Sequence, residues 1–120
     1  MTKENITYIT GASLVTCVVP SGKGDAVLKA AREAGVSGGI VCHGKGTGVR
    51  ERLGILGIAV EAEREIVMMM VADERRDMII DEIFKAAEMN QPAAGYIYAT
   101  PVDKATIYIP EEALEQLKNS

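Results

Sequence analysis

Two segments share one internal order: an apolar strand pattern, a break, then an amphipathic helical stripe. Ala12–Val19 (ASLVTCVV) places Val15, Cys17 and Val19 on one face and Leu14, Thr16 and Val18 on the other, so both faces can be covered. Pro20-Ser21-Gly22-Lys23-Gly24 breaks this run, in a turn whose ordinary role is to open a helix and whose glycines are also suited to an anion. Asp25–Ala34 then carries Val27, Ala30, Ala31 and Ala34 at helical spacing until Gly35 stops it. Arg64–Val71 (REIVMMMV) is dense in apolar residues and is expected at the centre of a sheet. Asp73 is placed to cap a second helix over Glu74–Met89, with Ile79, Ile80, Ile83, Phe84 and Ala87 on its stripe.

The remaining segments fill in around this repeat. Gly39–His43 is a strand between the two helices, followed by a loop from Gly44 to Ala62. Asn90-Gln91-Pro92-Ala93-Ala94-Gly95 is a turn into a strand over Tyr96–Thr100. Ala105–Ile109 gives a short strand after Pro101, and Pro110 opens a terminal helix carrying Leu114 and Leu117. Residues 1–11 show no periodicity and are expected as a loose arm. The order predicts one α+β domain spanning residues 1–120, a ferredoxin-like β-α-β-β-α-β sandwich with a tail helix. Right-handed crossovers place the first and third strands in the middle and both helices on one face. The other face, with Leu14, Thr16, Met68 and Met70, is left uncovered by its own chain. A symmetric oligomer, expected as a trimer, would cover it.

Composition excludes several classes. A net charge of −4 and a pI near 5.0 leave no basic footprint for nucleic acid. The absence of Trp and the scarcity of aromatics remove a base-stacking platform. Charges interrupt the chain too often for a membrane-spanning helix, and no signal peptide is read at its start, so a cytoplasmic address is expected. Cys17 and Cys42 fall on strands expected to be non-adjacent, which argues against a disulfide.

Chemistry concentrates in Gly38-Gly39-Ile40-Val41-Cys42-His43-Gly44-Lys45-Gly46-Thr47-Gly48. Glycines let the main chain approach a ligand closely, and exposed amides beside a lysine form an anion cradle. Gly39-x-x-x-x-Gly44-Lys45 looks like a Walker A loop, but Gly46 stands where the Mg²⁺-binding Ser or Thr belongs. A dinucleotide fingerprint is also incomplete. A phosphate cradle and a plain hairpin base remain equal readings of these residues.

With this loop placed between the second and third strands, residues 12–113 resemble the PII signalling family. The matching parts are Val18-Val19-Pro20, Gly35-Val36-Ser37-Gly38, Lys45-Gly46-x-Gly48, Val71-Ala72-Asp73-Glu74 and Gly95-Tyr96-Ile97-Tyr98. The resemblance implies a homotrimeric regulator, not an enzyme, that binds an adenine nucleotide (AMP, ADP or ATP) in clefts between subunits. It implies nucleotide contacts from Cys17, Gly38, Gly46, Thr47, Gly48 and Arg64, and from Ala93, Ala94 and Gly95 of the B-loop. Residues 44–62 correspond to the T-loop that engages a regulated protein in such families. The departures are specific. Met89-Asn90-Gln91-Pro92-Ala93-Ala94-Gly95 lacks the Thr-Gly-x-x-Gly-x-Gly pattern, Tyr96 replaces a phosphate-binding lysine, and Ile107 and Ile109 replace two tail arginines. Three lost cations weaken charge-assisted binding of a triphosphate, so a divergent PII-like member preferring AMP or ADP is expected. By the same resemblance the T-loop is shorter than in the family, and it lacks the tyrosine that can be uridylylated.

Other constellations are weaker. His43 beside Cys42 invites a metal reading, but neighbours on a strand point to opposite faces and cannot easily chelate together. No metal is expected, although a metal-binding trimer resembling divalent-cation tolerance proteins is the main rival function. No nucleophile–base pair is visible, which leaves an enzyme with a phosphorylated substrate as a third reading. Apolar Leu53, Ile55, Leu56 and Ile58, flanked by Arg50 and Arg52, suit insertion into a partner such as a transporter's cytosolic face. They equally suit a β-ribbon packed on neighbouring subunits.

Overall fold

The computed structural model describes residues 7–46, 62–107 and 112. Its elements are β1 (Thr7–Ile9), β2 (Ala12–Pro20), α1 (Gly24–Glu33), β3 (Ile40–Gly46), β4 (Ala62–Ala72), α2 (Asp73–Ala86), β5 (Tyr96–Val102) and β6 (Ala105–Ile107). Four strands form an antiparallel sheet in the order β3-β4-β2-β5. The two strand-helix repeats therefore interlock, with β2 and β4 side by side in the middle.

Both helices cover one face. There Val15, Cys17 and Val19 of β2 and Val67, Met69 and Val71 of β4 join Val27, Ala31, Ile79 and Ile83 in a single core. Each large apolar side chain so enclosed contributes roughly 1.5–3 kcal/mol. On the second helix only Ile79, Ile83 and Ala87 of the expected stripe are buried; Ile80 is half-buried, and Phe84 is exposed. The sheet's other face carries Leu14, Thr16, Val18, Ile66, Met68, Met70, Tyr96 and Tyr98 by alternation. Within one chain it lies open, with Met70 45% and Tyr98 49% exposed and Ile40 at the edge 62% exposed.

Three expectations need correction. The arm is not wholly loose: Thr7–Ile9 pairs with Ala105–Ile107. Ile9 faces Ala105 and Ala12 faces Val102, so β1–β6 continues the β2–β5 ladder at the same offset beyond a break at Gly11, whose φ is +69°. Pro101 does not end its strand either. It sits within β5, an edge strand of the four-stranded sheet, where a missing N–H is tolerated. Finally, Asp73 is the first residue of α2 and not its cap. Its carboxylate accepts a 2.6 Å hydrogen bond from the buried Ser13 hydroxyl, tying the start of β2 to the start of the helix. Ile109, the terminal helix and residues 1–6 lie outside the described residues.

Both helices end in the same hydrogen-bonded turn. After α1, the Gly35 amide donates to Arg32 and the Val36 amide to Ala31; after α2, Glu88 donates to Lys85 and Met89 to Phe84. This turn needs a left-handed residue, and α1 supplies Gly35 (φ +101°) while α2 uses Glu88 (φ +52°). Arg75 of α2 also donates to the Ala34 carbonyl at the end of α1. Glu88→Gly should relieve the left-handed strain and raise stability by about 1 kcal/mol, or about 4 °C in Tm, in a thermal melt. Gly95 has the opposite sensitivity. Its φ is +105°, and a Cβ there would lie 1.9 Å from the Val18 carbonyl oxygen. Gly95→Ala should cost more than about 2 kcal/mol, read as a fall in the urea midpoint.

Candidate functional site

The ladders decide which residues meet. Gly44 of β3 faces Arg64 of β4, which faces Pro20 at the end of β2. Tyr96 opens β5 opposite Val18, so the 90–95 turn lies at this same end of the sheet. Gly44–Gly46, Arg64 and Ala93–Gly95 thus share one end. Across it, β3 and β5 are three strand spacings apart, about 14 Å. One phosphate cannot touch both within a single chain.

The other expected contacts lie elsewhere or outside the described residues. Gly38 precedes β3 at the opposite end, since Ile40 faces Met68. The Cys17 thiol is fully buried on the helix-covered face, and burial pushes its pKa up to about 12. It is a packed, protonated thiol, and the β2 side chains facing away from the helices are Thr16 and Val18. Thr47, Gly48, Arg50, Arg52, Leu53, Ile55, Leu56 and Ile58 lie outside the described residues.

The 90–95 turn keeps an unusual backbone. Ala93 has φ +62° and Gly95 +105°, while the Ala94 amide donates to the Gln91 carbonyl at 3.2 Å. A non-glycine residue held left-handed is strained, and such strain gathers at sites that need a particular backbone shape. The turn, with Pro20, Lys23 and Glu88, lines a cleft of about 150 Å³. Tyr96 and Tyr98, stacked with centroids 6.1 Å apart, continue from it along β5. At the β3 side, His43, Gly44, Lys45 and Glu63 border a second cleft of about 400 Å³.

Sequence reasoning missed Glu65. This residue of β4 sends its Oε1 into the Gly22-Lys23-Gly24 turn, accepting hydrogen bonds from the Gly22 and Gly24 amides, each 2.8 Å. The N-cap, Lys23, offers no side-chain cap to α1, so Glu65 satisfies helix-start amides from the neighbouring strand. Gly24 fits because a Cβ there would lie 3.0 Å from Oε1. Oε2 faces His43 Nδ1 at 3.9 Å across the β3–β4 ladder. The Gly24 hydrogen bond, followed by the Gly22 bond and the His43 charge, holds the carboxyl below its ordinary value of 4.5 against the opposing cost of burial. The glycine turn was read first as a helix opener and only secondarily as suited to an anion; its occupant, more than forty residues on, was not legible.

Among the described residues, no three His, Cys, Asp or Glu side chains gather to hold a metal ion, and Cys42 is an exposed free thiol. No helix among them is long and apolar enough to cross a membrane.

A family model described as nitrogen regulatory protein P-II matches residues 12–112. The chain belongs to this family, whose members are signalling regulators. No curated protein sequence gives a match. Among solved structures, it resembles Arabidopsis thaliana PII bound to citrate, with 18% identity over 79% of this chain and 78% of that one. The TM-score is 0.59, and at this identity the likeness establishes the fold.

Because Glu65 has a lowered pKa, its contribution is fully present above the ordinary carboxylate range and is lost as pH falls through its folded value. Glu65→Gln should cost about 1 kcal/mol at pH 7, and the gap to wild type should close in acid, read by urea melts at both pH values.

Proposed function

We propose that this chain is a PII-type signalling protein that binds an adenine nucleotide in clefts between subunits and regulates a protein target. The observation that supports this reading most is the split site. Gly44–Gly46 on β3 and the 93–95 turn leading into β5, with its left-handed backbone, lie about 14 Å apart at one end of the sheet, with Arg64 on β4 between them. A second copy packed on the open sheet face would bring one chain's strand end against another's turn. The apolar residues of that face supply the driving force for such packing, which in a closed symmetric assembly is expected to involve three copies.

In this reading Gly46, Thr47 and Gly48 cradle phosphate with Arg64 as the cation, and Ala93, Ala94 and Gly95 complete the cleft from a neighbour. Gly38 and the β2 strand contribute from the flanks. Tyr96, 59% exposed beside the turn, presents an aromatic ring where the family resemblance expects a lysine, which lowers the reward for a third phosphate. The loop between β3 and β4 carries the output, with Arg50, Arg52, Leu53, Ile55, Leu56 and Ile58 meeting the target, a membrane transporter being one candidate. Arg64 lies two residues beyond that loop and couples it to the ligand.

Calorimetry with AMP, ADP and ATP tests the proposal. Binding at micromolar concentration is expected, with ATP gaining less than tenfold over AMP, a gap of about 1.4 kcal/mol. No heat with any of the three would overturn the nucleotide reading, and a larger ATP preference would overturn the selectivity argument alone.

A further inference from the structure

At the site end of the sheet, Glu65 stands outside the candidate ligand contacts and has its carboxylate held by two backbone amides. Glu65 lies between Arg64 and Ile66 on β4, and the pleat turns it to the helix face while Arg64 faces away. Its side chain is only 14% exposed, with Oε1 held by two amides of the Gly22–Gly24 turn. Oε2 looks toward His43, whose own side chain is 75% exposed. The same carboxylate therefore touches α1's start, β4 and β3.

We propose that Glu65 is a positioning residue: its docking in the glycine turn fixes the path of β4 through residues 62–66 and so aims Arg64 at the nucleotide cleft. This rests on the proposed function for the cleft, but not for the docking itself. The argument is geometric. At its first two residues, Ala62 and Glu63, β4 has β3 alone beside it; β2 joins on the other side only from Arg64, which faces Pro20, and Glu65, which faces Val19. Ladder bonds there end in the glycine-rich segment Gly44–Gly46, which packs little apolar surface. A carboxylate accepting two amide bonds adds a polar hold at the point where the apolar core of Val19 and Val67 gives out and β4 runs on toward Ala62. Successive residues on a strand point oppositely, so fixing the Glu65 side chain sets the direction of Arg64 on the other face. The turn that receives Glu65 belongs to the helix whose core residues Val27 and Ala31 are buried, so the anchor is rigid.

This also accounts for the glycine-rich turn. Gly22 is left-handed at φ +94°, and Gly24 leaves room for the carboxylate. The cradle is filled by the protein's own anion, so its consequence for ligand binding is indirect.

Hydrogen exchange on the nucleotide-free protein is the deciding measurement, comparing wild type, Glu65→Gln and Glu65→Asp. Amides of residues 42–46 and 62–66 should exchange roughly tenfold faster in Glu65→Gln, while those of Val27, Ile79 and Ile83 stay protected as in wild type. Unchanged exchange at the strand ends, or an equal rise everywhere, would overturn the proposal. Glu65→Asp, with a shorter reach, should fall between. If Glu65→Gln does not fold, the Gly22 and Gly24 amide shifts of wild type serve instead: both should move together as acid protonates the carboxyl, and independent movement would refute docking. AMP titration of the same variants gives the second arm. Affinity should weaken about fivefold in Glu65→Gln with stoichiometry unchanged. Failure of wild type to bind AMP would count against the nucleotide reading alone, whereas equal affinity in a variant with loosened strand ends would refute the aiming of Arg64.

Discussion

The β2–β4 ladder is the constraint on which the molecule depends. It runs without a gap from Ala12 opposite Ala72 to Pro20 opposite Arg64, in the middle of the sheet. Register along it is unforgiving, because a slip of one residue would send Val15, Cys17 and Val19 to the open face. The Ser13–Asp73 hydrogen bond at one end and the Glu65 docking at the other hold this register with buried or partly buried polar contacts. Everything at the site end inherits its position from there: Arg64 by pairing with Pro20, Gly44 by pairing with Arg64, and the 90–95 turn through the contact of Gly95 with Val18.

The two glycine-rich turns of the sequence have different fates for a physical reason. Gly22–Gly24 stands next to a carboxylate on the adjacent strand and is satisfied within the chain. Gly44–Gly46 stands beside Lys45 and Arg64 at a strand end that opens into a cleft. A helix start already occupied by an anion repels another. Gly22–Gly24 is thus already satisfied by the chain's own carboxylate, whereas Gly44–Gly46 ends a strand beside a cleft.

Much of this architecture was legible in the sequence. The helical stripes of Val27, Ala30, Ala31 and of Ile79, Ile83 are local periodicities, and both helices form within two or three residues of the expected bounds. The alternation in Ala12–Val19 marked a strand with Val15, Cys17 and Val19 on one of two coverable faces, and the helices cover that one. What escaped was non-local. Thr7–Ile9 gains its structure only from Ala105–Ile107, and Glu65 only from a turn some forty residues earlier. Asp73 has the composition of a cap, but Ser13 offers its carboxylate a buried partner, and the helix begins one residue sooner. For the site, Gly46, Arg64 and Ala93–Gly95 fall at one end of the sheet. Which of a central strand's two faces the helices cover was not legible from alternation alone, and it is the face carrying Cys17 that they bury.

The central claim is that one chain holds only half of a nucleotide site, and native mass spectrometry in AMP tests it most directly. The expected result is an assembly of three 12.8 kDa chains that carries up to three nucleotides, with no nucleotide on any single chain. A monomer that binds AMP one to one would contradict the claim, because the residues about 14 Å apart would then have to serve a ligand without a second copy.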